Sequence, residues 1–346
     1  MSVSGDPFPQ AAAAAFLERL GLSAPRSWEA LQGGANNRVY RLALADGETR
    51  VLKSYFTDPG DPRDRFQAES DFYRLTEKAR SRQVPRACGW DPEARLGLFE
   101  HIAGRPLSGP EEAEQGIGAA LALLEEVNAL RSSEEARRTK AASEACFCWK
   151  DHLDLIGRRI GRLRSIEPED DADREAVRFI ESRLVPAWQA IHDQIAGTLP
   201  PDARDRPLPW EDRCLSPSDF GFHNALRRAD GSLCFFDFEY AGWDDPAKLI
   251  GDFFSQPRVP VPAAHFDRFL QHLRNLVPGA DALEERARAL QPAYRIKWCA
   301  IALNEFTPQG KIRRAYARFS PSLAAAHKLH QLDVARKILA TASDHP

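Results

Sequence analysis

A chain of 346 residues that is 43% apolar and 28% charged has ordinary globular composition, with room for one large domain or two modest ones. Its 47 Lys and Arg against 50 Asp and Glu leave a formal charge of -3, so no global positive field exists to collect nucleic acid or anionic lipid. No run approaches the roughly 18 apolar residues of a membrane helix, and the opening MSVSGDPFPQ lacks the basic start and apolar stretch of a secretory signal.

The elements follow from periodicity. Residues 11–22 read as a short helix. Residues 39–44 alternate, Asp46-Gly47 supplies a turn, and 50–56 read as a second strand, so a hairpin is predicted. Residues 61–79 form a charged helix in which Phe66, Glu69, Phe72 and Tyr73 share one face. Val84-Pro85 and Gly89-Trp90-Asp91 mark a turn-rich crossing, and 96–102 are an apolar strand that Gly104 and Pro106 stop. Helices are predicted over 111–130, 134–163 and 176–195. The last carries the stripe Val177, Ile180, Leu184, Trp188, Ile191, Ile195, with a kink expected at Pro186. A Pro-rich surface loop over 200–209 precedes loops and short strands to 240, including a second hairpin around Asp230-Gly231. From 247 to about 343 the chain reads as helical. The expected boundary lies near Ala103, dividing a β-rich lobe, 1–103, from a larger helical lobe, 104–346.

Six cysteines, Cys88, Cys146, Cys148, Cys214, Cys234 and Cys299, form no CxxC pair and complete no zinc site. They read as buried free thiols in a reducing, cytoplasmic setting.

The densest chemical constellation is Ser216-Pro217-Ser218-Asp219-Phe220-Gly221-Phe222-His223-Asn224, followed by Asp237-Phe238-Glu239. Asp219 and Asn224 in a loop, with Asp237 at a strand end, can converge on one point. Oxygen ligands of this kind suit magnesium, which touches phosphates, and a remaining Asp can orient or deprotonate a hydroxyl. The same residue types also serve turns, and Asp237 could cap the hairpin. Earlier in the chain, Gly33-Gly34 precedes a strand and permits close approach of backbone N–H groups to phosphates. Lys53 lies centrally in the next strand, where an α/β-phosphate contact would be made. Glu69, facing the same way, could hold its ammonium.

In this order the landmarks GGANNRVYRL, Lys53, Glu69, LFEHIAGRPL, SDFGFHN and FDFEYAGWDDPAKLIGDF resemble the aminoglycoside phosphotransferase and choline kinase group. The resemblance runs from about residue 30 to 255. It implies an α+β, protein-kinase-like two-lobe fold, with a small antiparallel-sheet N-terminal lobe and a larger, mostly helical C-terminal lobe. It further implies an ATP- and Mg²⁺-dependent transfer of a phosphoryl group to a small-molecule alcohol. On that likeness Gly33, Gly34 and Asn36 belong to the phosphate-covering loop, Lys53 contacts phosphates paired to Glu69, and Glu100 to Ile102 form the hinge for adenine. Asp219 is the catalytic Asp, Asn224 and Asp237 hold magnesium, and Asp252 pairs with the catalytic loop. One departure stands out: the group usually has His two residues before the catalytic Asp, and here that residue is Pro217. The departure motivates an alternative, a catalytically weak kinase-like binding or regulatory protein. His223 reads as a packing or hydrogen-bonding residue.

Acceptor-wall candidates are Glu239, Tyr240, Trp243, Asp244 and a helix face of Arg295, Trp298, Ala302 and Glu305. Acids beside Trp suit a cationic alcohol, whereas Arg295 and Lys297 suit an acidic or phosphorylated sugar. Charge alone does not choose between them. No nucleic acid or membrane partner is expected, and the oligomeric state is open.

Overall fold

Alternation in the first hundred residues builds a five-stranded antiparallel sheet. A computed structural model describes residues 10–31, 37–57, 63–310 and 321–342 of the chain. Strands β1 (Pro25–Leu31), β2 (Asn37–Leu44), β3 (Thr49–Tyr55), β4 (Ala87–Asp91) and β5 (Leu96–Glu100) pair in the order β1-β2-β3-β5-β4. Leu42, Leu44, Leu52, Leu96 and Leu98 cluster with Ala13, Phe16 and Leu17 of helix α1 (Gln10–Arg19). With a side-chain period of two, Lys53 then falls on the face opposite Leu52. That face is covered by helix α2 (Arg65–Lys78), whose Phe66, Glu69, Phe72 and Tyr73 are all buried as their spacing predicts.

Two strands of this sheet lie where the sequence predicts none. Both are sheet edges. β1 is exposed along most of its length, so it has no buried face to impose alternation. β4 occupies the turn-rich crossing and is held by aromatic packing, with Trp90 set edge-on to Phe99 at 5.3 Å and to Phe66 at 5.6 Å.

The second lobe contains helices α3 (Pro110–Asn128), α4 (Glu134–Arg138), α5 (Trp149–Leu163), α6 (Asp171–Phe179), α7 (Val185–Thr198), α8 (Pro246–Ser255), α9 (Phe266–Arg274), α10 (Ala280–Leu303) and α11 (Pro321–Ala340). Short strands β6 (Gly104–Pro106), β8 (Ala225–Arg228) and β9 (Leu233–Phe235) form one antiparallel sheet. Strands β7 (Cys214–Ser216) and β10 (Gly242–Asp244) form another. Gly104 and Pro106 do not simply end a strand; they begin a new one that pairs with the predicted second hairpin.

The helix predicted over 134–163 is two helices with a loop between them. Thr139 leaves helical geometry at ψ 128°. The following main chain then bonds to β10 and to the residue two before it: Ala142 N–H donates to Trp243 O at 2.9 Å, Trp243 N–H to Lys140 O at 3.0 Å, and Ser143 N–H to Tyr240 O at 2.9 Å. Gly242 permits this approach, since a Cβ there would lie 2.4 Å from Lys140 O. Just before Pro186, where a kink is expected, the helix carries a π turn over Ile180–Leu184, in which Val185 N–H reaches back five residues to Ile180 O. All six cysteines are free; Cys88 and Cys148 are half-buried rather than buried.

The lobes share one core through α2. Phe238 is buried against Phe72 at 4.5 Å and Tyr73 at 5.6 Å, and Tyr73 also meets Phe99 at 5.0 Å. The α+β architecture of a small antiparallel-sheet lobe on a larger helical lobe is the protein-kinase-like two-lobe fold. Among the described residues no helix is long and apolar enough to cross a membrane.

β7 leads into the loop of Asp219, and a buried side chain fixes it. Asn128 accepts from Leu215 N–H at 2.9 Å and donates to Leu215 O at 3.0 Å and Leu124 O at 2.8 Å. Asn128→Ala would strand the Leu215 main-chain groups. It is expected to lower stability by about 1–3 kcal/mol, measured by denaturant unfolding; an unchanged midpoint would mean that the strand does not depend on this clamp.

Candidate active site

The loop before β8 is shaped by alternating burial. Phe220 and Phe222 are buried in the core, Phe220 against Phe235 at 5.0 Å and Phe253 at 5.6 Å. This leaves Asp219 turned outward just before the two inserted rings. Ser216 Oγ accepts from Ser218 N–H at 3.0 Å, Ser218 takes a left-handed φ of 68°, and Phe220 N–H returns to Ser218 O at 2.7 Å. Asp219 therefore sits at the centre of a tight turn. Asn224 Nδ2 donates to Asp219 O at 3.0 Å, and Asn224 O accepts from Phe236 N–H at 3.0 Å. The Asp219 loop and the segment entering Asp237 are thus joined through one residue.

Asp219 lies deep, yet 37% of its side chain stays open. Burial would raise its carboxyl, but the hydrogen bond from His223, with Lys297 and Arg258 nearby, holds it below the ordinary range. It is an ionised carboxylate at neutral pH. His223 Nε2 stands 3.2 Å from Asp219 Oδ1, and the ring packs edge-on to Trp298.

Lys53 is the meeting point of the two lobes. Its Nζ lies 2.6 Å from Glu69 Oε2, 2.5 Å from Asp237 Oδ1 and 3.8 Å from Glu239 Oε2. Burial alone would lower this ammonium's pKa; Asp237, Glu69 and Glu239 together carry it above the ordinary lysine range. Glu69 is buried and bonds both lobes, since its other oxygen accepts from Phe238 N–H at 3.2 Å. Burial pushes its carboxyl up to about 7 against the opposing pull of Lys53. Asp237 adopts a left-handed φ of 70°.

Residues 101–103, including Ile102, lie between β5 and β6 in no element, so sheet pairing does not consume their main-chain groups. Glu100 is tied to Arg86, whose N–H reaches Glu100 Oε1 at 2.9 Å. Gly33, Gly34 and Asn36 lie outside the described residues.

Several acceptor-wall candidates are committed elsewhere. Trp243 is a core residue whose Nε1 donates to Ala136 O at 2.9 Å. Asp244 is fully buried and bonds Lys248 at 2.7 Å. Lys297 is buried on Asp252, at 2.7 and 2.8 Å, and Arg295 donates to Thr341 O. Glu305 lies past the end of α10 and pairs with His327 at 3.0 Å. Asp252 itself bonds Lys297 and Trp298 of α10 rather than the loop around Asp219.

Tyr240 is half-buried, and Glu239 is 4% exposed with Asn37, Lys53 and Arg65 around its carboxylate. Glu239 and Tyr240 line a cleft of about 860 Å³ bounded by the start of α2, the 139–144 loop, the end of α5 and residues 304–310. Four cationic side chains there, Arg63, Lys140, Arg159 and Arg162, meet four carboxylates, so the wall carries no net charge. Sequence reasoning missed the 139–144 wall because it read those residues as helix; the missing 3/4-spaced apolar stripe between Ala136 and Trp149 was the available signal. It also missed Arg65, 2% exposed, with its Nε 3.8 Å from Glu239 Oε1 and its guanidinium over the Tyr240 ring. An Arg in a first helical turn carries no sign of burial.

Two oxygen donors suit a divalent cation. Asn224 spends its Nδ2 on Asp219 O, which leaves its carbonyl oxygen available, and Asp237 keeps 34% of its side chain open. Among the described residues no three His, Cys, Asp or Glu side chains come together as a metal cluster. Such a sparse set fits an ion that takes its remaining ligands from water and phosphates.

A model of the phosphotransferase enzyme family matches residues 27–248. Among solved structures, a choline/ethanolamine kinase family protein from Mesorhizobium loti is 17% identical, with 95% of this chain and 98% of that one covered and a TM-score of 0.53. The choline kinase LicA from Streptococcus pneumoniae is 16% identical, with 96% and 99% covered and a TM-score of 0.57. A spectinomycin phosphotransferase, solved with ADP and spectinomycin, is 10% identical, with 94% and 99% covered and a TM-score of 0.58. No curated protein matches the chain by sequence.

Proposed function

Since the chain belongs to the phosphotransferase enzyme family, we propose that it transfers the terminal phosphoryl group of ATP to a hydroxyl of a small molecule. The observation that carries this reading is the single ammonium of Lys53, held by Glu69 of α2 and Asp237 of the second lobe within 2.6 Å. Lys53 takes the nucleotide phosphates, and Glu69 keeps it aimed. The main chain of residues 101–103 takes the adenine edge. Asn224 and Asp237 would hold a magnesium ion, which would neutralise charge on the phosphate oxygens. Asp219 orients the acceptor hydroxyl and accepts its proton on a carboxylate oxygen. Most of the gain comes from positioning and electrostatics, because phosphoryl transfer asks little covalent chemistry of the protein. The cleft beside Glu239 and Tyr240 receives the acceptor.

ADP release from ATP and magnesium, measured across choline, ethanolamine, spectinomycin, hygromycin and simple sugars, tests the reading. At least one alcohol is expected to raise the rate above the acceptor-free background, and removal of magnesium with EDTA should abolish both rates. ATP binding without turnover under any condition would make the chain a binding protein. Failure to bind nucleotide at all would overturn the site.

A further inference from the structure

Resting on the reading of Asp219 as the base, we propose that His223 is the positioning residue for its carboxylate, supplying from the far side of the loop the support that Pro217 does not give. A carboxylate only accepts, so His223 Nε2 is the donor across the 3.2 Å to Asp219 Oδ1. This bond fixes one oxygen of Asp219 and leaves the other for a hydroxyl.

The histidine is itself held. Its side chain is 6% exposed, and its ring sits 6.2 Å from Trp298 at 81°. Trp298 Nε1 in turn donates to Asp252 Oδ1 at 2.9 Å, and Asp252 is anchored by Lys297. The chain of contacts runs from α8 and α10 to the turn around Asp219. A donor seated this firmly limits the carboxylate to one orientation, whereas Pro217, two residues before Asp219, has no side-chain group that could donate.

The other ring nitrogen adds a steric handle. His223 Nδ1 is buried with no hydrogen-bond partner among the described residues. It lies against Gly221, where an added Cβ would come within 2.8 Å of Nδ1 and 3.0 Å of Cε1. Gly221 has extended backbone at φ 169°, which any residue adopts. An alanine there would therefore act first on the imidazole, with a lesser contact to Gln256 Cγ at 3.3 Å, rather than on the main chain.

The test uses magnesium ATP with water as acceptor, read as ADP release, so it needs no identified alcohol. His223→Phe keeps the ring against Trp298 and removes the donor. It is expected to lower kcat about 10- to 100-fold, the scale of a small misplacement of a reacting group, with the KM for ATP and the melting temperature unchanged. His223→Gln restores an N–H near the position of Nε2 and is expected to recover kcat to within about threefold of the parent. Gly221→Ala keeps the donor but displaces it, and should fall between them. A His223→Phe protein with full kcat, or a His223→Gln protein as slow as His223→Phe, would overturn the proposal. If His223→Phe does not fold, Gly221→Ala decides: a normal kcat there counts against it. Asp219→Asn separates the two readings. If it leaves ADP release intact, the base assignment is lost; if it abolishes release while His223→Phe does not alter it, only the role of His223 is lost.

Discussion

Asp219→Asn is expected to lower kcat by about 10²–10⁴-fold, the span for loss of a positioned acid or base, while nucleotide affinity changes little. The substitution preserves size and the hydrogen bond from His223 Nε2, because the amide oxygen also accepts. The main-chain grip of Asn224 on Asp219 O does not involve the side chain that changes. What is lost is a carboxylate whose charged form the site favours. Single-turnover ADP formation with titration calorimetry of nucleotide binding would separate chemistry from affinity. Wild-type turnover in Asp219→Asn would rule the residue out as the base.

Lys53→Met should damage both activity and stability. The methionine matches the stem in length but removes the charge, so nucleotide affinity is expected to fall about 10- to 100-fold, the worth of a charge-assisted hydrogen bond. Stability is expected to fall by about 3–5 kcal/mol, since removing one partner of a buried ion pair leaves the other uncompensated. The deficit should depend on pH in a definite direction. Glu69 sits at about 7 in the folded protein, above its ordinary value of 4.5. The stability it contributes is present at acid pH and is lost as pH rises through the folded value. Without Lys53 that value rises further, so the variant's deficit should be larger near pH 8 than near pH 5.5. Urea unfolding of both proteins at the two pH values measures this. A deficit that shrinks with rising pH would contradict the account of the Lys53 cluster.

Local pattern carried most of the small lobe. The alternation of residues 39–44 in β2, the buried face of α2 and the unbroken apolar run of β5 each leave a local mark. The two edge strands escaped because edges have no buried face, or have one made by distant aromatics such as Trp90 on Phe99. The order of Lys53, Glu69, Asp219, Asn224 and Asp237 was legible as residue types. Expectation reached as far as Glu69 holding Lys53 and Asp219, Asn224 and Asp237 converging; the contact of Lys53 with Asp237, which joins residues 184 positions apart, was not legible. The acceptor candidates fared worst. Trp243, Asp244 and Lys297 looked like functional polar and aromatic residues, yet each is buried with a structural partner. A sequence shows that a charge exists and not whether another charge already answers it.

The loop of residues 139–144 lines the cleft and, among the described residues, is fastened to β10 and to Tyr240 just before it by peptide groups, through Lys140, Ala142 and Ser143. Peptide groups are common to every residue type except proline at the donating positions, Ala142 and Ser143. The exposed side chains of this wall, Lys140 and Ala141, are therefore open to replacement without disturbing the fastening, whereas Thr139 and Ala142 are buried and Glu144 pairs with Arg159; β10 is the direct sheet partner of β7, which leads to Asp219. If the cleft takes the acceptor as proposed, selectivity can drift by exchanging Lys140 and Ala141 while the loop stays fastened, which makes these two positions the ones to randomise in a search for altered acceptor preference.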